Sequence, residues 1–245
     1  IVLVDSFTDV PFAGNPAGVC VLAAATTEAW MQSVAAELNV SETAFVVPRT
    51  DGDHDLRWFS PTTEVELCGH ATLASAHVLG GDRRFHTRSG PLVCRAVGEG
   101  TIEMDFPALP VDPVADPPDL APALGLPPDR VVGVYGNEGG WLFAELASAA
   151  DVRAAVPDLV AVQALGGFAT VAAAPGEREG IDSVCRVFAP GAGNLEDPVT
   201  GSAHCLIGPW LAARTGRTEF TGEQASSRGG IVGMRVEGDR VVLSG

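Results

Sequence analysis

Two stretches lying far apart in the chain share one pattern. Arg57, Phe59 and Pro61 form RxFxP shortly before Gly69, and Arg186, Phe188 and Pro190 form RxFxP shortly before Gly201. Each leads through an acidic approach to a glycine, EVELCG in one case and EDPVTG in the other. A run of small and apolar residues follows each, GHATLASAHVL and GSAHCLIGPWLAA. A pattern repeated in the same order is the mark of a duplicated unit. The chain is thereby expected to fold as two halves of similar design, and its 245 residues suffice for two domains of common size. The densest proline stretch, ALPVDPVADPPDLAPALGLPPD, sets the expected division at 1–110 and 111–245.

Local patterning fills in both halves. IVLVDSFTDV reads as a β-branched strand ending in a turn, and PFAGNPAGVCVL as a loop entering a second strand. From Thr27 to Leu38 the apolar positions Trp30, Met31, Val34, Ala35 and Leu38 recur at helical spacing, with Thr26 or Thr27 as N-cap. SETAFVVP and LRWFSP read as strands. The stretch from His70 to Leu79 is small and apolar all round, which suits a helix buried against a sheet, and Gly80 and Gly81 stop it. Residues 84 to 106 read as two or three strands. Further strands are expected near 131–135, 141–146, 169–174 and 183–188, a short acidic helix near 148–155, and a second central helix near 202–214. The fold class is α+β.

Composition removes several chemistries. A formal charge of −16 would repel nucleic acid and anionic membrane surfaces, so small molecules are the expected partners. All 15 basic residues are arginine, which leaves no lysine for a Schiff base or a phosphate-cradling P-loop. Five cysteines, at 20, 68, 94, 185 and 205, form no CxxC pair and are expected reduced in a cytoplasmic protein. No stretch is long and apolar enough to read as a membrane span. The Gly191/Gly193 pair has Glu196 where a dinucleotide fingerprint needs its third glycine. Ser202 lacks the GxSxG flanks of a nucleophile elbow. His204 and Cys205 are adjacent on a helix, and Cys68 with His70 offers two ligands, so no metal is expected.

The glycine-led helices suggest a binding site instead. Packed face to face, two such halves would direct both helix N-termini, with their free N–H groups, at one cleft. Backbone donors from Gly69 to Thr72, through Ala71, and from Gly201 to Ala203 could hold a substrate carboxylate without lysine. Cys68 and Thr200, the residues entering each helix, would border it.

DSFTDVPFAGNPAGV, NVSETAFV, RWFSPTTEVELCGHAT and EDPVTGSA resemble, in order and spacing, the signature segments of the phenazine-biosynthesis (PhzF-like) isomerase family. The resemblance covers most of the first 80 residues and about 186–215; 107–180 carries little signature. It implies the diaminopimelate-epimerase-like fold, with two pseudo-symmetric halves, each a curved mixed sheet around a central helix, and the active site between them. It implies a cofactor-independent isomerase, a homodimer, in which Glu42 takes a proton from substrate carbon and returns it elsewhere. It also carries His70, Asp197 and Ser202 into the site as relaying or orienting groups. One departure stands out: Cys68 precedes Gly69, where the phenazine enzyme has no thiol. An epimerase of this fold uses two cysteines, and the second position here is Thr200, a far weaker base. Cys68 is therefore either a buried, inert thiol or an acid/base group. Two other readings stay open: an amino-acid racemase or epimerase using Cys68, and an inactive small-molecule-binding module of the same fold.

Overall fold

The computed structural model describes residues 1–98, 100–192 and 194–245; Gly193 of the Gly191/Gly193 pair lies outside them. The chain forms two compact units, Ile1–Phe106 with Val242–Gly245, and Pro107–Val241. The boundary expected at 110/111 thus falls at 106/107, and the last four residues leave the second half. Their return has a simple cause. Gly245 and Ile102 exchange backbone hydrogen bonds at 2.9 and 3.2 Å, so Val242–Gly245 is held within the first unit.

The first unit contains β1 (Val2–Ser6), β2 (Asn15–Val21), α1 (Glu28–Leu38), β3 (Glu42–Pro48), β4 (His54–Phe59), β5 (Glu64–Val65), α2 (Gly69–Leu79), β6 (Arg83–Thr87), β7 (Gly90–Gly98) and β8 (Thr101–Pro107). The second contains β9 (Asp112–Pro113), α3 (Leu120–Ala123), β10 (Val131–Gly136), β11 (Trp141–Leu146), α4 (Ala149–Ala154), α5 (Leu159–Ala164), β12 (Ala169–Pro175), β13 (Ser183–Ala189), β14 (Asn194–Asp197), α6 (Gly201–Thr215), β15 (Glu219–Gln224) and β16 (Gly230–Glu237). A last strand, β17 (Arg240–Ser244), carries the chain from one to the other.

The strand pairings repeat step for step. In the first unit β1 pairs antiparallel with β2, β2 parallel with β3 across α1, β3 antiparallel with β4, and β4 parallel with β6 across α2. In the second, β10 pairs antiparallel with β11, β11 parallel with β12 across α4 and α5, β12 antiparallel with β13, and β13 parallel with β15 across α6. Even the register matches, since Thr43 lies opposite Phe59 and Thr170 opposite Phe188. Each parallel pair needs a crossover, and helices supply them. The fold is the expected α+β class, a mixed sheet with a central helix in each unit.

The RxFxP residues repeat at the level of atoms. Arg57 grips Glu64 in a two-point ion pair, both contacts at 2.6 Å, and its guanidinium lies 5.2 Å from the ring centre of Phe59. Arg186 grips Glu196 in the same way at 2.7 and 2.9 Å, 5.1 Å from the ring of Phe188. Phe59 packs with Cys20, Met31, Ala35 and Phe45 in one core, and Phe188 with Leu124, Leu146 and Val152 in the other. The motif therefore pins the strand that feeds each central helix.

Both central helices are enclosed, as their composition requires. In α2 every residue from His70 to Ala76 is buried, and small side chains let the helix lie close to β1, β2 and β3. In α6 the run from Ala203 to Gly208 is buried. Pro209 inside α6 cannot donate to Cys205, and that carbonyl instead accepts a hydrogen bond from the Leu109 N–H at 2.9 Å. Among the described residues no helix is long and apolar enough to cross a membrane.

Candidate active site

Helix capping separates the two central helices from α1, α4 and α5, while the four-residue α3 also opens without a side-chain cap. Thr27, Ser148 and Asp158 cap α1, α4 and α5, each accepting a first-turn N–H with its side chain. α2 and α6 begin at Cys68 and Thr200, and neither side chain makes such a bond. Their opening N–H groups have no intrahelical acceptor and carry the positive end of the helix dipole. Gly69 adds to this. A side chain there would meet nothing closer than Phe106 at 3.7 Å, ordinary contact, so packing within the unit does not demand the glycine.

At the start of α2, three expected site residues come together. Glu42 opens β3, beside β2, with a side chain 20% exposed. His70, in the first turn of α2, brings Nε2 to 3.3 Å from Glu42 Oε2, although the two are not aligned as a hydrogen bond. On the other side of the ring, Nδ1 lies 3.5 Å from Cys68 Sγ. The first turn is held from outside: Ser6 donates to the His70 carbonyl at 2.8 Å, and Thr72 to the Cys68 carbonyl at 2.6 Å. Burial pushes the His70 ring down to about 3, so it is neutral near pH 7 and its approach to Glu42 is not an ion pair.

These three groups bear on metal binding as well. The sequence suggested two ligands at Cys68 and His70, but Glu42 adds a third, and one ligand atom of each lies within 4.8 Å of the others. Cys68 faces Nδ1 and Glu42 faces Nε2, so the donors flank the ring instead of converging on one point, and the helix dipole opposes a cation there. Asp51, Asp53 and His86 also cluster, but Asp51 is committed to Arg49 at 3.2 Å and Asp53 to His86 at 2.7 Å.

The corresponding place in the second unit carries different groups. Ala169 stands where Glu42 stands, each opening the strand that pairs in parallel with its neighbour. Thr200, Gly201 and Ser202 occupy the places of Cys68, Gly69 and His70. Thr200 donates its hydroxyl to Asp197 Oδ2 at 2.5 Å, which places these two expected residues in one turn. Ser202 is exposed and Ala203 buried. Glu42, Cys68 and His70 are thus gathered in one unit, and Asp197, Thr200 and Ser202 in the other.

Gln224, at the end of β15, was not expected and organises that second turn. Its Oε1 accepts the Thr200 N–H at 2.8 Å, while Nε2 donates to the Asp197 carbonyl at 2.7 Å and to Thr200 Oγ1 at 3.1 Å. Thr200 and Asp197 are thereby held by a fully buried amide. Beside it, His204 donates Nδ1–H to the Thr200 carbonyl at 2.8 Å, which leaves Nε2 bare, 3.9 Å from Cys185 Sγ. A side chain at Gly222 would come within 2.8 Å of that ring, so glycine makes its room. Burial pushes His204 down to about 4. Gln224→Leu should cost about 3 kcal/mol, because Thr200 N–H and the Asp197 carbonyl lose buried partners. Urea unfolding of the variant beside wild type measures this; an unchanged midpoint would show that the bonds are replaced by water.

A duplicated α+β frame whose two central helices open without side-chain caps, one of them beside a carboxylate and a neutral histidine, defines the class of protein. Comparison with known proteins then gives the family. The chain belongs to the phenazine biosynthesis-like protein family, whose model matches residues 4–245. It is 41% identical over 254 residues to a protein of Halalkalibacterium halodurans named as an uncharacterized isomerase, covering all of this chain and 94% of that one. A Pseudomonas aeruginosa protein, also named as an uncharacterized isomerase, is 43% identical over 249 residues, with 99% and 93% covered. A crystal structure of a PhzF-family phenazine biosynthesis protein from Enterococcus faecalis superposes with TM-score 0.92 at 37% identity, covering 99% of this chain and 93% of that one.

Proposed function

We propose that this protein is a cofactor-independent isomerase that moves a proton on a small carboxylate-bearing molecule, with Glu42 as general acid/base. The observation that carries the reading is the Glu42 carboxylate 3.3 Å from a neutral, buried imidazole at the uncapped start of α2. A carboxylate so placed can take a proton from carbon and give it back, and a neutral ring beside it can offer a hydrogen bond without a net charge to solvate. The helix N-terminus supplies donors for the substrate carboxylate, and Gly69 leaves its backbone open to it. Asp197, held by Thr200, and the exposed Ser202 are proposed as orienting groups for the substrate. Names of relatives support the isomerase class and leave the substrate open.

A racemase with one thiol on each face of its substrate has no support here. The residue matching Cys68 is Thr200, whose hydroxyl is engaged with Asp197. The test of the proposal is proton NMR of wild-type protein in deuterated buffer with a panel of amino acids, hydroxy acids and dihydro-hydroxyanthranilate. Loss of one carbon-bound proton signal, or its transfer to another carbon, is the expected result. A panel in which dihydro-hydroxyanthranilate and every other carboxylate bind but none exchanges would favour a binding module.

A further inference from the structure

We propose that Cys68 is an activated nucleophile, the end of a Cys68–His70–Glu42 chain, and the position at which this protein takes soft carbon electrophiles. The order of contacts is the argument. Sγ approaches Nδ1 at 3.5 Å and Glu42 Oε2 approaches Nε2 at 3.3 Å, so thiol and carboxylate use opposite nitrogens of one ring. A carboxylate only accepts, which favours the tautomer with hydrogen on Nε2 and leaves the Nδ1 lone pair facing the thiol. This is the logic of a nucleophile, a base and an orienting acid.

Two further observations point the same way. Cys68 sits at the N-cap of an 11-residue helix with no side-chain cap, where the helix dipole favours a thiolate. His70 is only 6% exposed, and its Nε2 makes no aligned hydrogen bond but is aimed at the Glu42 carboxylate. The other unit provides the contrast. Cys185 also neighbours a histidine, but at 3.9 Å, and the second nitrogen of His204 is spent on a backbone carbonyl, not on an acid. Burial raises the Cys185 and Cys20 thiols, and pushes Cys94 up to about 12.

In the reaction the sulfur attacks the electrophilic carbon. With iodoacetamide, the S–C bond forms as the C–I bond breaks, iodide leaves with the electron pair, and the thiol proton passes to Nδ1 as the Nε2 proton passes to the partly exposed Glu42 and on to solvent, so the buried ring stays neutral. The proposal shares Glu42 and His70 with the isomerase reading, but its test needs no substrate, so either can fail alone.

The experiment is a time course of the full chain with iodoacetamide, with each cysteine followed by peptide mass spectrometry. Cys20, 5% exposed against 7% for Cys68, is the internal standard for access and reagent, and because burial raises the Cys20 thiol, activation of Cys68 is read from the fall of its rate in the His70 and Glu42 variants. Cys68 should react at least tenfold faster than Cys20. The rate at Cys68 should fall about tenfold in His70→Asn and severalfold in Glu42→Gln, with that at Cys20 unchanged. Should His70→Asn fail to fold, Glu42→Gln, an isosteric change at a partly exposed side chain, still decides. Equal rates at Cys68 and Cys20, or a Cys68 rate indifferent to Glu42→Gln, would overturn the proposal.

Discussion

Replacing Glu42 by Gln should slow turnover on the true substrate by on the order of a thousandfold, the scale of a lost general acid/base. The change keeps size and shape and removes only the titratable group. Substrate affinity should therefore change little, since the carboxylate of the substrate is proposed to rest on the α2 N-terminus and not on Glu42. The thermal midpoint should also hold, because the side chain is partly exposed and the contact with His70 is not an ion pair. Steady-state kinetics, ligand titration and a melting curve on the same preparation separate these effects. A variant with lost affinity but intact kcat would make Glu42 a binding residue. Glu42→Asp is a useful companion. It keeps the acid but draws it back from the reacting carbon and from His70, so turnover should fall to a value between those of wild type and Glu42→Gln.

A second large effect is expected from acid. His70 and His204 have folded values pushed down by burial to about 3 and about 4, against an ordinary value of 6.5. The sign follows directly. Below pH 6.5 the unfolded chain takes up protons that the folded one refuses, so stability is full above 6.5 and drains as pH falls toward 4 and then 3. Each group costs about 1.4 kcal/mol per pH unit across that window, so at pH 5 the pair should remove on the order of 4 kcal/mol. His54, also lowered by burial, acts in the same direction. Glu64 and Glu223, held below the usual carboxylate range by Arg57 and Arg153, lose their contribution only at lower pH and leave this window to the histidines. Urea unfolding at pH 7.5 and pH 5 measures the drop, and His204→Gln should reduce it by about half. A flat profile would mean that the rings are hydrated in the folded protein.

Much of the fold was legible because the chain says it twice. RxFxP, the acidic approach and the glycine-led helix each announced an element, and each structural copy keeps the same arginine–glutamate grip and the same buried phenylalanine. Thr27 as N-cap and the stop at Gly80 are local chemistry, and local chemistry shows in sequence. Elements without a local signal escaped. α5, behind Asp158, has a short apolar stretch too brief for a period, and the return of Val242–Gly245 to the first unit depends on pairing with Ile102, a partner distant along the chain.

The candidate site divides along the same line. Glu42, Cys68, His70, Asp197, Thr200 and Ser202 lie in the motif segments and were named from them. Gln224 was missed because it ends an unremarkable strand, and only the fold brings its amide to Thr200 and Asp197. The third donor beside Cys68 and His70 was missed for the same reason, since Glu42 arrives from β3. A sequence repeat also hides divergence: Ala169 in the place of Glu42 shows that the two copies keep one frame while only the first carries the carboxylate.

The most direct test of the central claim is solvent-deuterium incorporation into the exchanging carboxylate, followed by proton NMR for wild type and Glu42→Gln side by side at equal protein concentration. Glu42 as the proton-transferring group predicts deuterium at a single carbon with wild type and none with the variant over the same time. Equal incorporation by both proteins would contradict it, and would move the chemistry to another group.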